Sequence, residues 1–115
     1  FLTGKYNPSS KFEEGDFRGS MPQYTDEGMK AGQKLMELIA ALAEEKKATD
    51  AQISLAWMLG KKPYIVPIPG SRKPERMREN IGAAEVSLTE NEIAEIDSAL
   101  DEMELPVFGG HNVVR

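Results

Sequence analysis

The sequence predicts an α/β chain, predominantly helical, with one short strand at about residues 64–68. Three observations carry this. Tyr64-Ile65-Val66-Pro67-Ile68 is an apolar, β-branched run long enough for one buried strand and too short for a helix. Pro69, Gly70 and Pro74 follow it, so the order reads strand, tight loop, helix, with Pro74 suited to a first helical position. Elsewhere, apolar residues recur at helical spacing behind Thr-based start signals.

Taken in order, residues 7–24 come first as a long loop. Pro8, Ser9, Ser10, Gly15, Gly19, Ser20 and Pro22 punctuate them, and no helical period survives. Loops of this length in compact domains are usually functional or disordered, and a plain linker is the simpler alternative. Thr25 or Asp26 then opens a long helix in which Leu35, Leu38, Ile39 and Leu42 form one apolar stripe. Thr49 and Gln52 have capping-box spacing and open a helix that runs to about Gly60, with Trp57 as a packing anchor. After the strand, the helix from Pro74 divides its faces: Arg76, Glu79 and Asn80 share one, and Met77, Ile81 and Ala84 share a second, packing face. Thr89 and Glu92 repeat the capping-box spacing, and Ile93, Ile96 and Leu100 give the last helix its buried side.

Charge singles out the start of the Pro74 helix. The chain carries 14 Lys and Arg against 19 Asp and Glu, a net charge of −5, yet Lys61 to Arg78 holds six basic residues and one acid. Unpaired N–H groups and a partial positive charge at a helix start favour an anion, and Arg72, Lys73 and Arg76 cluster there. Guanidinium groups hold phosphate through two parallel bonds. Gly70 would allow an unusual turn or close approach to a ligand. From composition alone, a solvated basic face on a surface helix is an equal alternative.

Other chemistries find little support. There is no cysteine, so disulfide and thiol chemistry are excluded, and no His, Asp and Glu set has metal-ligand spacing. His111 is the single histidine, in a Phe108-Gly109-Gly110-His111 tail that offers it no orienting partner. Tyr6, Tyr24 and Tyr64 read as packing and loop residues, and no nucleophile lies beside a base. No catalytic residue is therefore assigned. The acidic balance and the lack of aromatic neighbours around the basic cluster argue against nucleic acid. No apolar run is long enough for a membrane span, and the expected location is cytoplasmic.

Ile68-Pro69-Gly70-Ser71-Arg72, with Arg76 and the pair Glu79-Asn80 after it, resembles the C-terminal cofactor signature of the aldo-keto reductases, NADPH-dependent (β/α)8 barrels. Phe1-Leu2-Thr3-Gly4-Lys5-Tyr6 resembles the segment after barrel strand seven. Asp16-Phe17-Arg18 resembles the loop over the cofactor pyrophosphate, and Ala51 to Trp57 is similar to the penultimate barrel helix. The resemblance extends to about Leu105, beyond which the tail departs from the family pattern.

The resemblance implies that Gly70, Ser71 and Arg72 cradle the adenosine 2′-phosphate with Arg76 beside it, and that Glu79 and Asn80 hold the adenine edge. Lys5 and Arg18 would lie along the pyrophosphate, with Leu2 and Gly4 lining its loop. An arginine near the 2′-phosphate favours NADPH over NADH. In the family a tyrosine, assisted by lysine, aspartate and histidine from the first part of the barrel, protonates the carbonyl during hydride transfer. None of those four is matched here. A barrel takes about 250 residues, so the chain corresponds to roughly its last third: residues 1–24 as the cofactor-covering loop, 25–105 as the last helices, strand eight and phosphate site, and 106–115 as the tail. The expected role is the NADPH-binding part of an aldehyde or ketone reductase, inactive by itself. The alternative is a non-catalytic helical oligomerisation module that retains an unused nucleotide signature. A barrel strand alone lacks sheet partners, so self-association, or the rest of a barrel, is expected to cover it.

Overall fold

A computed structural model of the chain describes residues 1–103. Five α-helices, α1 (Asp26–Ala31), α2 (Gln33–Lys46), α3 (Asp50–Lys61), α4 (Pro74–Gly82) and α5 (Glu90–Asp101), follow an irregular N-terminal segment that contains two 3₁₀ turns, Phe17–Ser20 and Pro22–Tyr24. The tail 106–115, with His111, lies outside the described residues.

The core is a three-helix contact of α2, α3 and α5. Leu35, Ile39, Leu42 and Ala43 meet Ile53, Ile96 and Ala99, and Leu2, Leu38, Trp57 and Leu100 close its edges. Ile53 is 0% exposed. Both capping boxes form: Thr49 accepts from the Gln52 N–H at 3.2 Å while Gln52 accepts from the Thr49 N–H at 3.0 Å, and Thr89 and Glu92 do the same for α5. The ends are also cross-tied. Trp57 Nε1 donates to Asp97 Oδ1 at 2.9 Å, Lys61 pairs with the other Asp97 oxygen, and Lys46 at the end of α2 meets Glu92 at 2.7 Å.

The structure corrects three expectations. The helix expected from residue 26 is two helices, because Gly32 ends α1; a Cβ there would lie 2.4 Å from the Phe1 ring, so the break is where the N-terminal segment packs into the helix. No strand occurs among the described residues, and 64–68 is extended but unpaired. Its side chains still alternate, Ile65 and Pro67 half-buried against Tyr64, Val66 and Ile68 at 77%, 79% and 93% exposure. The intrinsic preference is present. The neighbouring strands that would turn it into a ladder are not supplied by the other described segments. Finally, Met77, Ile81 and Ala84 do not pack: Ile81 is 72% exposed, and the face joins Leu55, Leu59 and Val66 around an open apolar furrow of about 380 Å³.

Candidate functional site

The site grows from the loop before α4. Ser71 Oγ accepts from the Lys73 N–H at 3.1 Å and donates to the Lys73 carbonyl at 3.2 Å, a local clasp that shapes the approach to the helix. Pro74 occupies a first-turn position, as its fixed φ favours, and the N-cap residue Lys73 makes no side-chain cap. The start of α4 therefore differs from those of α3 and α5, whose Thr caps turn inward on their own N–H groups. Gly70 does not adopt a left-handed φ, so the unusual turn is not needed; a Cβ there would meet nothing within 4 Å, so space for close approach is present.

On α4, Arg76 Nη1 donates to Glu79 Oε2 at 2.6 Å. That bond holds the Glu79 carboxyl below the usual carboxylate range, against partial burial, with a further contribution from the Thr49 hydroxyl. The two side chains, with Lys73, Glu75, Thr49 and Gln52, line an open cleft of about 540 Å³. Asn80 lies instead on the wall of the apolar furrow. Arg72 and Lys73 are exposed beside the cleft's entrance loop.

The N-terminal candidates gather against a different part of the molecule. Gly4 has φ +67°, and a Cβ on it would fall 2.5 Å from Asp50 Oδ2, so the position demands glycine twice over. Burial under this loop pushes the Asp50 carboxyl up. The Leu2 carbonyl lies 3.5 Å from Ser54 Oγ, and Lys5 Nζ stands 5.1 Å from the Tyr6 ring centre. Arg18 Nε bonds both Asp16 oxygens, at 2.9 and 3.1 Å, and its guanidinium lies 5.0 and 5.5 Å from the Tyr6 and Phe12 rings.

The structure thus brings Arg76 and Glu79 together, with Ser71, Arg72 and Lys73 at the same helix start. Arg18 is not brought to them, since its 3₁₀ turn packs on the neighbouring Pro22–Tyr24 turn while α4 packs on α3. The first turns of α3 are what both groups share: Asp50 and Ser54 face the N-terminal loop, and Thr49 and Gln52 face α4. Sequence reasoning found the Thr49 and Gln52 spacing and read it as a helix start alone. No group of His, Cys, Asp and Glu among the described residues could hold a metal. No helix among them is long and apolar enough to cross a membrane.

The chain is 36% identical over 108 residues to aldo-keto reductase str7 of Strobilurus tenacellus, and 38% identical over 105 residues to aldo-keto reductase yakc [NADP(+)] of Schizosaccharomyces pombe; each match covers 91% of the chain. An aldo-keto reductase of Gibberella moniliformis is 32% identical over 96 residues, 84% of the chain. The chain spans about a third of the length of these curated relatives, 31%, 31% and 29% respectively. The model of the aldo/keto reductase family matches residues 1–101, and the chain belongs to that family of barrel oxidoreductases.

Proposed function

We propose that the chain forms the adenosine end of an NADPH site in a reductase of aldehydes or ketones, and that it does not catalyse by itself. The observation that carries this is the cleft at the start of α4, where Arg76 and Glu79 meet beside a first turn that no N-cap side chain closes. Gly70, Ser71 and Arg72 would cradle the 2′-phosphate with Arg76, while Glu79 and Asn80 would hold the adenine edge. Lys5 and Arg18 would neutralise the pyrophosphate beside Leu2 and Gly4. The chemistry of donor and acceptor fits a phosphorylated nucleotide: cations at a helix N-terminus for phosphate, a carboxylate and an amide for the base. NADPH, when bound, supplies the hydride; the residues described here bind and orient its far end.

The local pairings set the terms of binding. Arg76 is held by Glu79 and Arg18 by Asp16, so each guanidinium must share or exchange an internal carboxylate for phosphate. Calorimetry with NADPH and NADH tests the assignment. Arg72→Ala or Arg76→Ala should weaken NADPH by about 1.5–3 kcal/mol, as a charge-assisted bond to phosphate predicts, and leave NADH much less affected. Equal losses for the two cofactors would refute it.

A second reading has one observation in its favour, the apolar furrow with Val66, Met77 and Ile81 exposed around it. In that reading the helices serve association and the nucleotide signature is unused. Absence of NADPH binding from a well-folded associated protein would favour it.

A further inference from the structure

We infer that Gln52 is a positioning residue for the nucleotide cleft, the strut through which the start of α3 fixes the carboxylate end of α4; this rests on the reading of that cleft proposed above. The Gln52 side chain is used at both ends. Its Oε1 accepts from the Thr49 N–H at 3.0 Å and completes the cap of α3, while its Nε2 donates to the Glu79 carbonyl at 2.8 Å. The second bond joins residues 27 apart in sequence and ties two helices together.

The recipient carbonyl is available for a physical reason. In a continuing helix the Glu79 carbonyl would accept from the Ala83 N–H, but Ala83 turns its N–H to the Asn80 and Ile81 carbonyls as α4 tightens and ends. The Gln52 amide takes the place that Ala83 leaves. Room for it exists because residue 82 is glycine: a Cβ on Gly82 would lie 2.6 Å from Gln52 Nε2. Thr49, the other half of the capping box, lines the same cleft as the Glu79 side chain. The capping box therefore braces the main chain of Glu79, and Glu79 in turn holds Arg76 at 2.6 Å. Gln52 and Thr49 line the cleft beside those residues, so a shift of this strut moves Glu79 and Arg76 together.

Substitution can separate the two uses of the side chain. Gln52→Glu keeps an Oε acceptor for the Thr49 N–H, since Glu serves a capping box as well as Gln does, and removes the donor to Glu79. Gly82→Ala attacks the same bond from the other side, by filling the space of the amide in a helix that tolerates alanine. The probe is adenosine 2′,5′-bisphosphate, which carries the base and the 2′-phosphate without the nicotinamide, titrated calorimetrically into the purified protein and each variant, with thermal midpoints measured in parallel. Both variants should bind it about three- to ten-fold more weakly, the worth of one lost hydrogen bond transmitted to the site; Gln52→Glu also sets a carboxylate in the cleft and against the Glu79 carbonyl, so Gly82→Ala, which adds no charge, carries the comparison. Affinity unchanged in the folded variants, while Arg76→Ala lowers it, would overturn the role of Gln52 and leave the cleft assignment standing. Affinity unchanged in Arg76→Ala as well would overturn the cleft assignment itself. Should Gln52→Glu fail to fold, Gly82→Ala decides alone by the same criterion.

Discussion

Gly4 and Glu92 show how much single residues contribute. A methyl group on Gly4 meets both a left-handed backbone and the Asp50 carboxylate, so Gly4→Ala should destabilise the protein by about 1–2 kcal/mol in a denaturant titration. Glu92 accepts from Lys46 and from the Thr89 N–H, and these bonds lower its pKa from the ordinary 4.5. A lowered carboxylate value means that the folded form binds the proton less readily than the unfolded form. The stability this contributes is present above pH 4.5 and is lost as pH falls through the lowered value. Glu92→Gln keeps a capping-box side chain but not the charge, and should flatten that part of the acid limb; an unchanged limb would remove Glu92 from the account. At this scale the sequence was most informative where partners are three residues apart. Thr49 with Gln52, Thr89 with Glu92, and Arg76 with Glu79 all reveal themselves by spacing. The Gln52 bond to Glu79 does not, because nothing in either local pattern points across 27 residues.

Among the elements, α3 and α5 are written plainly in their caps, whereas the break between α1 and α2 depends on a ring that arrives from residue 1. The Leu35 to Leu42 stripe begins just past Gly32 and no proline interrupts residues 26–46, so pattern alone joins what packing divides. The end of α2 offers a direct test. Lys47 closes it in the left-handed region at φ 53°, and the Ala48 N–H returns to the Ala43 carbonyl at 2.9 Å, a termination that glycine makes without a Cβ penalty. Lys47→Gly should raise stability by about 0.5–1 kcal/mol in chemical denaturation. Thr49→Ala and Thr89→Ala should each lower it by about 1 kcal/mol. Of the two, Thr49→Ala alone should also weaken the nucleotide, since Thr49 lines the cleft.

For the molecule as a whole, the three-helix core was legible as stripes, but the layer beside it was not. Tyr64 to Ile68 has the composition and alternation of a strand, and composition cannot supply a neighbour for it to bond. What remains is an apolar surface on which Val66 and Pro67 meet Met77 and Ile81. Surfaces of that kind are covered in stable proteins. Light scattering of the purified chain should accordingly show self-association that the pair Val66→Thr and Ile81→Lys diminishes. A stable, well-folded monomer at low concentration would refute this.

The helix that bears the site is also the least anchored of the long ones. No residue of α4 is buried, and its N-cap residue supplies no side-chain cap, whereas α2, α3 and α5 each place at least two residues in the interior. Its amides should therefore exchange with deuterium by local opening, well before the core opens globally. Occupancy of the cleft would then be recorded in time: residues 75–82 fall into step with α3 when a nucleotide is held, and run ahead of it when none is.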